Sequence, residues 1–151
     1  FTHGNFTSII IAIYSLAQRT TNLTITQACV EWRTPATVRP KVLEIAIVQA
    51  TATAQSLGLG RPQAIGVTPV NVLFQADDPG DPASVMNGSL SWATSPTVPL
   101  IFLRRWNGAA TIGVGIIWTF PRGLVIPISS SLVVWNITAS VASDITCVID
   151  E

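Results

Sequence analysis

Charge is what this sequence has least of. Of its 151 residues, 11% are Asp, Glu, Lys or Arg, eight of each sign, while 48% are hydrophobic. An average soluble domain is about 25% charged. A folded monomer of 16.1 kDa exposes on the order of 7,400 Å² by the usual area scaling. Sixteen charges dilute thinly over that area, and Thr, Ser, Asn, Gln and apolar atoms must cover the rest. Formal net charge is zero and the pI is about 6.8. That argues against a nucleic-acid grip, which relies on a basic patch to neutralise phosphates. Lys41 is the single lysine, and the seven arginines are scattered apart from Arg104-Arg105.

Long apolar runs are missing too. A membrane helix needs about 20 apolar residues, and no run here qualifies. Ser8 to Ala17 has the length of a signal-peptide core, but no basic region precedes it and it is rich in β-branched residues. It reads as a strand. The chain opens at Phe1 rather than Met, which leaves room for an initiator Met or a leader. The two cysteines, Cys29 and Cys147, are no disulfide framework. Each lies in an apolar strand-like stretch and reads as a buried reduced thiol. Asn-x-Ser/Thr occurs at Asn5, Asn22, Asn87 and Asn136, as chance allows in so Ser/Thr-rich a chain.

What is present is β pattern almost throughout. Ser8 to Leu16 is a β-branched run. Leu23 to Trp32 alternates with a phase slip near Gln27, the signature of a bulge or bend. Val42 to Ala52 is apolar on both parities, as for a strand buried on two faces. Leu57 to Pro62 and Gly66 to Pro69 carry glycine and proline at loop density, and Ala50 to Leu59 has room for a short helical turn. Val70 to Ala76, Leu90 to Trp92, Val98 to Trp106, Ile112 to Phe120, Leu124 to Ile128, Leu132 to Ile137 and Ile145 to Ile149 read as strands. Asp77 to Pro82 is an acidic turn. The expectation is an all-β, jelly-roll-like sandwich of 8–10 strands in a single domain, residues 8–151, preceded by an extended N-terminal arm, residues 1–7.

Candidate chemistry is sparse. His3 is the only histidine, so triads and His-metal clusters have nothing to build on. Asp77, Asp78 and Asp81 offer oxygens, but their spacing does not match a calcium loop. Glu31, Glu44 and Asp144 lie in or near strands, with no spacing that pairs them as a glycosidase site. Gly58-Leu59-Gly60 lacks the third glycine and the helix of a dinucleotide loop. Gly113 and Gly115 alternate with large apolar residues, as in a strand that meets backbone or a bulky neighbour. No catalytic, metal or cofactor site is expected, and the chain reads as no enzyme. Trp32, Trp92, Trp106, Trp118 and Trp135 sit in alternating apolar runs and read as core or subunit contact. Arg104-Arg105-Trp106 is the one basic-aromatic cluster. Adjacent strand residues face opposite ways, so one of the two arginines is expected to meet a carboxylate across a subunit boundary, Asp150-Glu151 being a candidate partner. Phe1, His3 and Phe6 complete the candidate interface, as parts of a docking arm.

Several phrases resemble small structural proteins of tailed bacteriophages, closest to capsid decoration, or cement, proteins. They are Leu57 to Pro62 with Gly66 to Pro69, Ile117 to Pro127, and Ser131 to Asn136 running on to Asp150-Glu151. They cover roughly the C-terminal two thirds and are turn-and-strand phrases, not a site signature. The resemblance implies a virion protein on the outer capsid surface, a homotrimer that clamps neighbouring capsomers by binding the major capsid protein, with no cofactor, nucleic acid or membrane. The alternative is a head-fibre or tail-associated module that binds a receptor or glycan.

Overall fold

The computed structural model describes residues 12–20, 27–138 and 142–151. The expected arm, with Phe1, His3 and Phe6, lies outside the described residues, as does the run up to Ile11. Eleven strands follow in chain order: β1 (Ile13–Arg19), β2 (Ala28–Arg33), β3 (Lys41–Gln49), β4 (Gln55–Pro62), β5 (Val67–Leu73), β6 (Gln75–Ala76), β7 (Asn87–Thr94), β8 (Pro99–Gly108), β9 (Gly115–Val125), β10 (Ser131–Thr138) and β11 (Ser143–Asp150). Period-2 alternation builds them. In β11, Ser143, Ile145, Cys147 and Ile149 are buried and the residues between them half-exposed, as one covered face demands.

The strands form two antiparallel sheets packed as a sandwich, so the expected all-β fold is the one adopted. The five-stranded sheet runs β6-β1-β11-β3-β9 and the six-stranded sheet β5-β7-β2-β10-β4-β8. Between them lies a core that includes Trp32, Ile45, Ile47, Leu57, Leu132 and Ile149. Three tryptophans are buried, Trp32, Trp118 and Trp135, while Trp92 and Trp106 are half-buried. Cys29 and Cys147 are free and buried in the same core. Burial pushes the Cys29 thiol up to about 12 and raises that of Cys147 well above its ordinary value.

Several sequence expectations are corrected. Among the described residues there are eleven strands, not 8–10, the extra one being the two-residue β6. Residues 51–53 form bends rather than a helical turn, and β4 begins at Gln55. The supposed loops at Leu57–Pro62 and Gly66–Pro69 are largely strand. Gly58 and Gly60 sit in mid-strand because neighbours lie on them: a Cβ would come 2.5 Å from the Phe102 ring and 2.7 Å from Pro99. Pro69 is tolerated because β5 is an edge strand. Val42 to Gln49 is not buried on two faces; Leu43, Glu44 and Ala46 are half-exposed and Val48 exposed. A register shift between Val42 and Glu44 supplies part of the double parity that suggested otherwise. The phase slip in β2 falls at Cys29, where Val134 pairs Val30 but Trp135 pairs Ala28. Leu124 and Val125 continue β9 instead of starting a new strand, and Ile112 to Val114 precede β9, with Gly113 at φ 85.

Candidate interaction surfaces

The residues singled out on β8 occupy the edge of the six-stranded sheet. Arg104 and Arg105 do face opposite ways. The Arg104 guanidinium lies 5.1 Å from the centroid of Phe120 on β9, and Arg105 lies 5.7 Å from that of Phe102. Trp106 packs against the core from the same strand. The C-terminal carboxylates are not their partners within this chain. Asp150 pairs with Ile13 and Lys41 in the other sheet. Glu151 accepts hydrogen bonds from Ser84 Oγ and, at 2.9 Å, from the Val85 N–H. Among the described residues neither arginine is in an ion pair; the two pairs present are Arg19–Asp144 and Arg33–Glu31.

Glu31, passed over in sequence, is the most tightly held polar side chain. It is fully buried, on the face of β2 turned away from the core. Its Oε2 accepts from Ser131 Oγ at 2.7 Å and from the Gly66 N–H at 3.1 Å. Its Oε1 accepts from Trp92 Nε1 at 3.0 Å, with Arg33 Nη1 at 3.5 Å. Arg33 in turn donates to the Gly66 carbonyl at 2.7 Å. Four donors satisfy the carboxylate, which therefore fastens the segment leading into β5. Beside it, Ala28, Val133 and Trp135 form a second apolar cluster with Trp92, Phe102 and Ile137 against it.

The segment from Gln63 to Thr94 carries β5, β6 and β7, and it widens both sheets on one side. β5 becomes the edge of one sheet and β6 of the other, joined by buried Phe74. Asp77, Asp78 and Asp81 follow β6 on that side. Asp77 Oδ1 accepts from Ser15 Oγ at 2.7 Å, and Asp78 Oδ1 from the Gly80 N–H at 2.9 Å. Tyr14 donates to the Pro82 carbonyl at 2.8 Å. Its hydroxyl pKa is raised, chiefly by burial and then by the charges of Glu151 and Asp81. The opposite side, β8 with β9, carries exposed Arg104, Arg105 and Arg122, and Arg61 of β4 bonds the Val125 carbonyl at 2.9 Å. A sequence signal for this division exists: there is no Lys or Arg between Arg61 and Arg104, and no Asp or Glu between Asp81 and Asp144.

Both sides also expose aliphatic side chains. Leu100 and Ile101 on β8 are 82% and 75% exposed, Ile117 on β9 63%, and Val70 on β5 64%. Shallow depressions of 320 to 380 Å³ open at these edges, lined by residues such as Leu100 and Ile101 with Arg61, or Phe120 and Pro121 with Arg104 and Arg122. Among the described residues no group of three His, Cys, Asp or Glu is placed to hold a metal ion. Asn136 is buried and Asn87 half-buried, while Asn5 and Asn22 lie outside the described residues. No protein family, curated protein or solved structure matches the chain.

Proposed function

We propose that this chain is a virion structural subunit of the capsid-decoration kind: a homotrimer that sits on the outer surface of the capsid, binds the major capsid protein, clamps neighbouring capsomers and does no chemistry. The observation that carries the reading is the row of exposed aliphatic side chains along the sandwich edges in a chain with few charges. Scattered exposed apolar residues are ordinary, but Leu100 and Ile101 lie together beside Arg61 on the side that also carries exposed Arg104, Arg105 and Arg122, and Arg is enriched at protein interfaces.

The strand order supports a jelly roll. Without β5, β6 and β7, eight strands remain, and they pair first with last, second with seventh, third with sixth and fourth with fifth: β1 with β11, β2 with β10, β3 with β9, β4 with β8. That is the pairing of a long hairpin rolled into two sheets, the architecture used by viral capsid domains and also by lectins. The glycan-binding alternative has less support at the aromatic residues. Phe102 has one ring face on Gly58 and Arg105 over its ring, and the Trp92 N–H is already taken by Glu31.

The test is electron cryo-microscopy of the particle that carries the protein, with added purified chain. Density at three-fold or quasi-three-fold positions between capsomers is the expected result. Density only at a tail or fibre tip, or none on the shell, overturns the reading.

A further inference from the structure

The two long sides of the sandwich differ in charge and share exposed apolar surface, and they belong to opposite ends of the same sheets. We infer that the β5–β6 side of one copy docks against the β8–β9 side of the next, a head-to-tail contact between copies of this chain. This deepens the assembly reading above and rests on it.

The edge strands are complementary in charge, although Glu44 of β3 stands opposite Thr119 of β9. β4, β8 and β9 hold four arginines and no carboxylate; β5, β6 and the turn after them hold Asp77, Asp78 and Asp81 and no Lys or Arg. Two copies related by a two-fold axis through either side would bring like charges together, which is destabilising at an interface. A head-to-tail step brings unlike charges together instead. The apolar content matches as well, with Val70, Val72 and Leu73 exposed on one side and Leu100, Ile101 and Ile117 on the other.

The contact is made by side chains and does not continue a sheet. β5 carries Pro69, which lacks an N–H, and Thr68 at φ 49; β9 carries Pro121. These features blunt edge strands against open-ended pairing. The insertion that carries the acids is pinned at both ends, by Glu31 at Gly66 and by Glu151 at Ser84 and Val85. Its apolar and acidic residues are therefore presented on a fixed frame, as a docking surface needs.

A heterologous contact closes into a ring or runs on as a filament according to the rotation per step. The experiment is sedimentation velocity on the full chain. Three proteins are compared: the parent, Arg104→Glu/Arg122→Glu, and Asp77→Lys/Asp78→Lys, with a thermal melt of each. The parent is expected to self-associate, less tightly in high salt. Each variant alone should associate at least about tenfold more weakly, and an equimolar mixture of the two should recover association, because each supplies the side the other complements. Where a double variant does not melt cooperatively, Arg122→Glu and Asp78→Lys, both at exposed positions, take its place.

A parent that stays monomeric up to its solubility limit overturns the inference, as do variants that associate like the parent. Variants that are both monomeric, and remain so when mixed, overturn the head-to-tail geometry. A monomeric parent counts against the proposed homotrimer as well, whereas the place on the capsid is decided separately, by where the protein sits on the particle. A closed ring of three supports both; an open series supports the edge pairing and counts against the trimer.

Discussion

The outer faces of the two sheets are built alike and treated differently. On the five-stranded sheet, the outer side of β1 and β11 holds the Arg19–Asp144 pair, bidentate at 2.8 Å for both contacts and largely exposed. On the six-stranded sheet, β10 is buried from Ser131 through Asn136 without a break, so the centre of that sheet is covered on both sides, while β5 at its edge is largely exposed. A carboxylate on the first face needs one arginine and water. A carboxylate on the second needs four donors, and Glu31 has them. The same residue type is decoration on one sheet and fastening on the other, because the surroundings decide what an unpaired charge costs.

The largest test of that contrast is Glu31→Ala. It leaves the Trp92, Ser131 and Gly66 donors and the Arg33 charge without their acceptor, and breaking one side of a buried pair costs about 3–5 kcal/mol. Denaturant unfolding should show that loss; a change under about 1 kcal/mol would mean that the covered face tolerates unpaired groups as the open one does. Gly58→Ala comes next. Its new Cβ would meet the Phe102 ring at 2.5 Å, and overpacking of this kind costs about 1–3 kcal/mol. A neutral result would show that the ring swings away and that the outer cluster is loosely packed.

The thiols ask whether the inner faces differ as the outer ones do. Cys29 stands on the six-stranded sheet and Cys147 on the five-stranded, both with raised pKa values from burial. A thiol raised in the folded state keeps its proton where the unfolded chain loses it. Stability is therefore full below the ordinary thiol value and falls as pH rises from there toward the folded value of about 12 for Cys29. The slope approaches about 1.4 kcal/mol per pH unit for each such group. Unfolding at pH 8 and at pH 10.5 should show the decline in the parent and a smaller one in Cys29→Ala. Equal declines would mean that the thiol is reached by water. Thiol-specific reagents should label neither cysteine until the protein unfolds.

The smallest effect belongs to Asp144→Asn. Its hydrogen bonds to Arg19 hold the Asp144 carboxyl below the usual range. That contribution is present above the unfolded carboxyl pKa and is lost as pH falls through the lower folded value. Both groups are exposed, so the unfolding midpoint near neutral pH should fall only slightly below that of the parent, and the two should converge as the pH drops through the folded value. A large loss at neutral pH would place the pair in a covered interface and erase the contrast between the two faces.

How far the sequence was legible varies by element. β11 shows plain alternation and was readable, because one covered face imposes a period of two, whereas the β-branched run read as ending at Leu16 continues as strand to Arg19. β4 was misread as loop, since Gly58 and Gly60 are explained only by Phe102 and Pro99 lying across them from β8, some forty residues away in sequence. Doubly buried character was assigned to β3 and belongs to β10; a register shift in β3 imitates the pattern. The opposite facing of Arg104 and Arg105 followed from strand geometry alone. Glu31 was invisible as a fastening, because its donors come from residues 66, 92 and 131 as well as its neighbour Arg33.

By itself the sequence determined a β protein with sparse charge and an acidic turn after residue 76. Those follow from composition and from local sterics, which a strand obeys wherever it packs. Only the tertiary structure decided which strand is covered twice, which carboxylate is held by four donors, and that Arg104, Arg105 and Arg122 stand on the opposite side of the sandwich from Asp77, Asp78 and Asp81. Each of these depends on pairing between strands far apart in the chain, and burial is a property of what those pairings bring together.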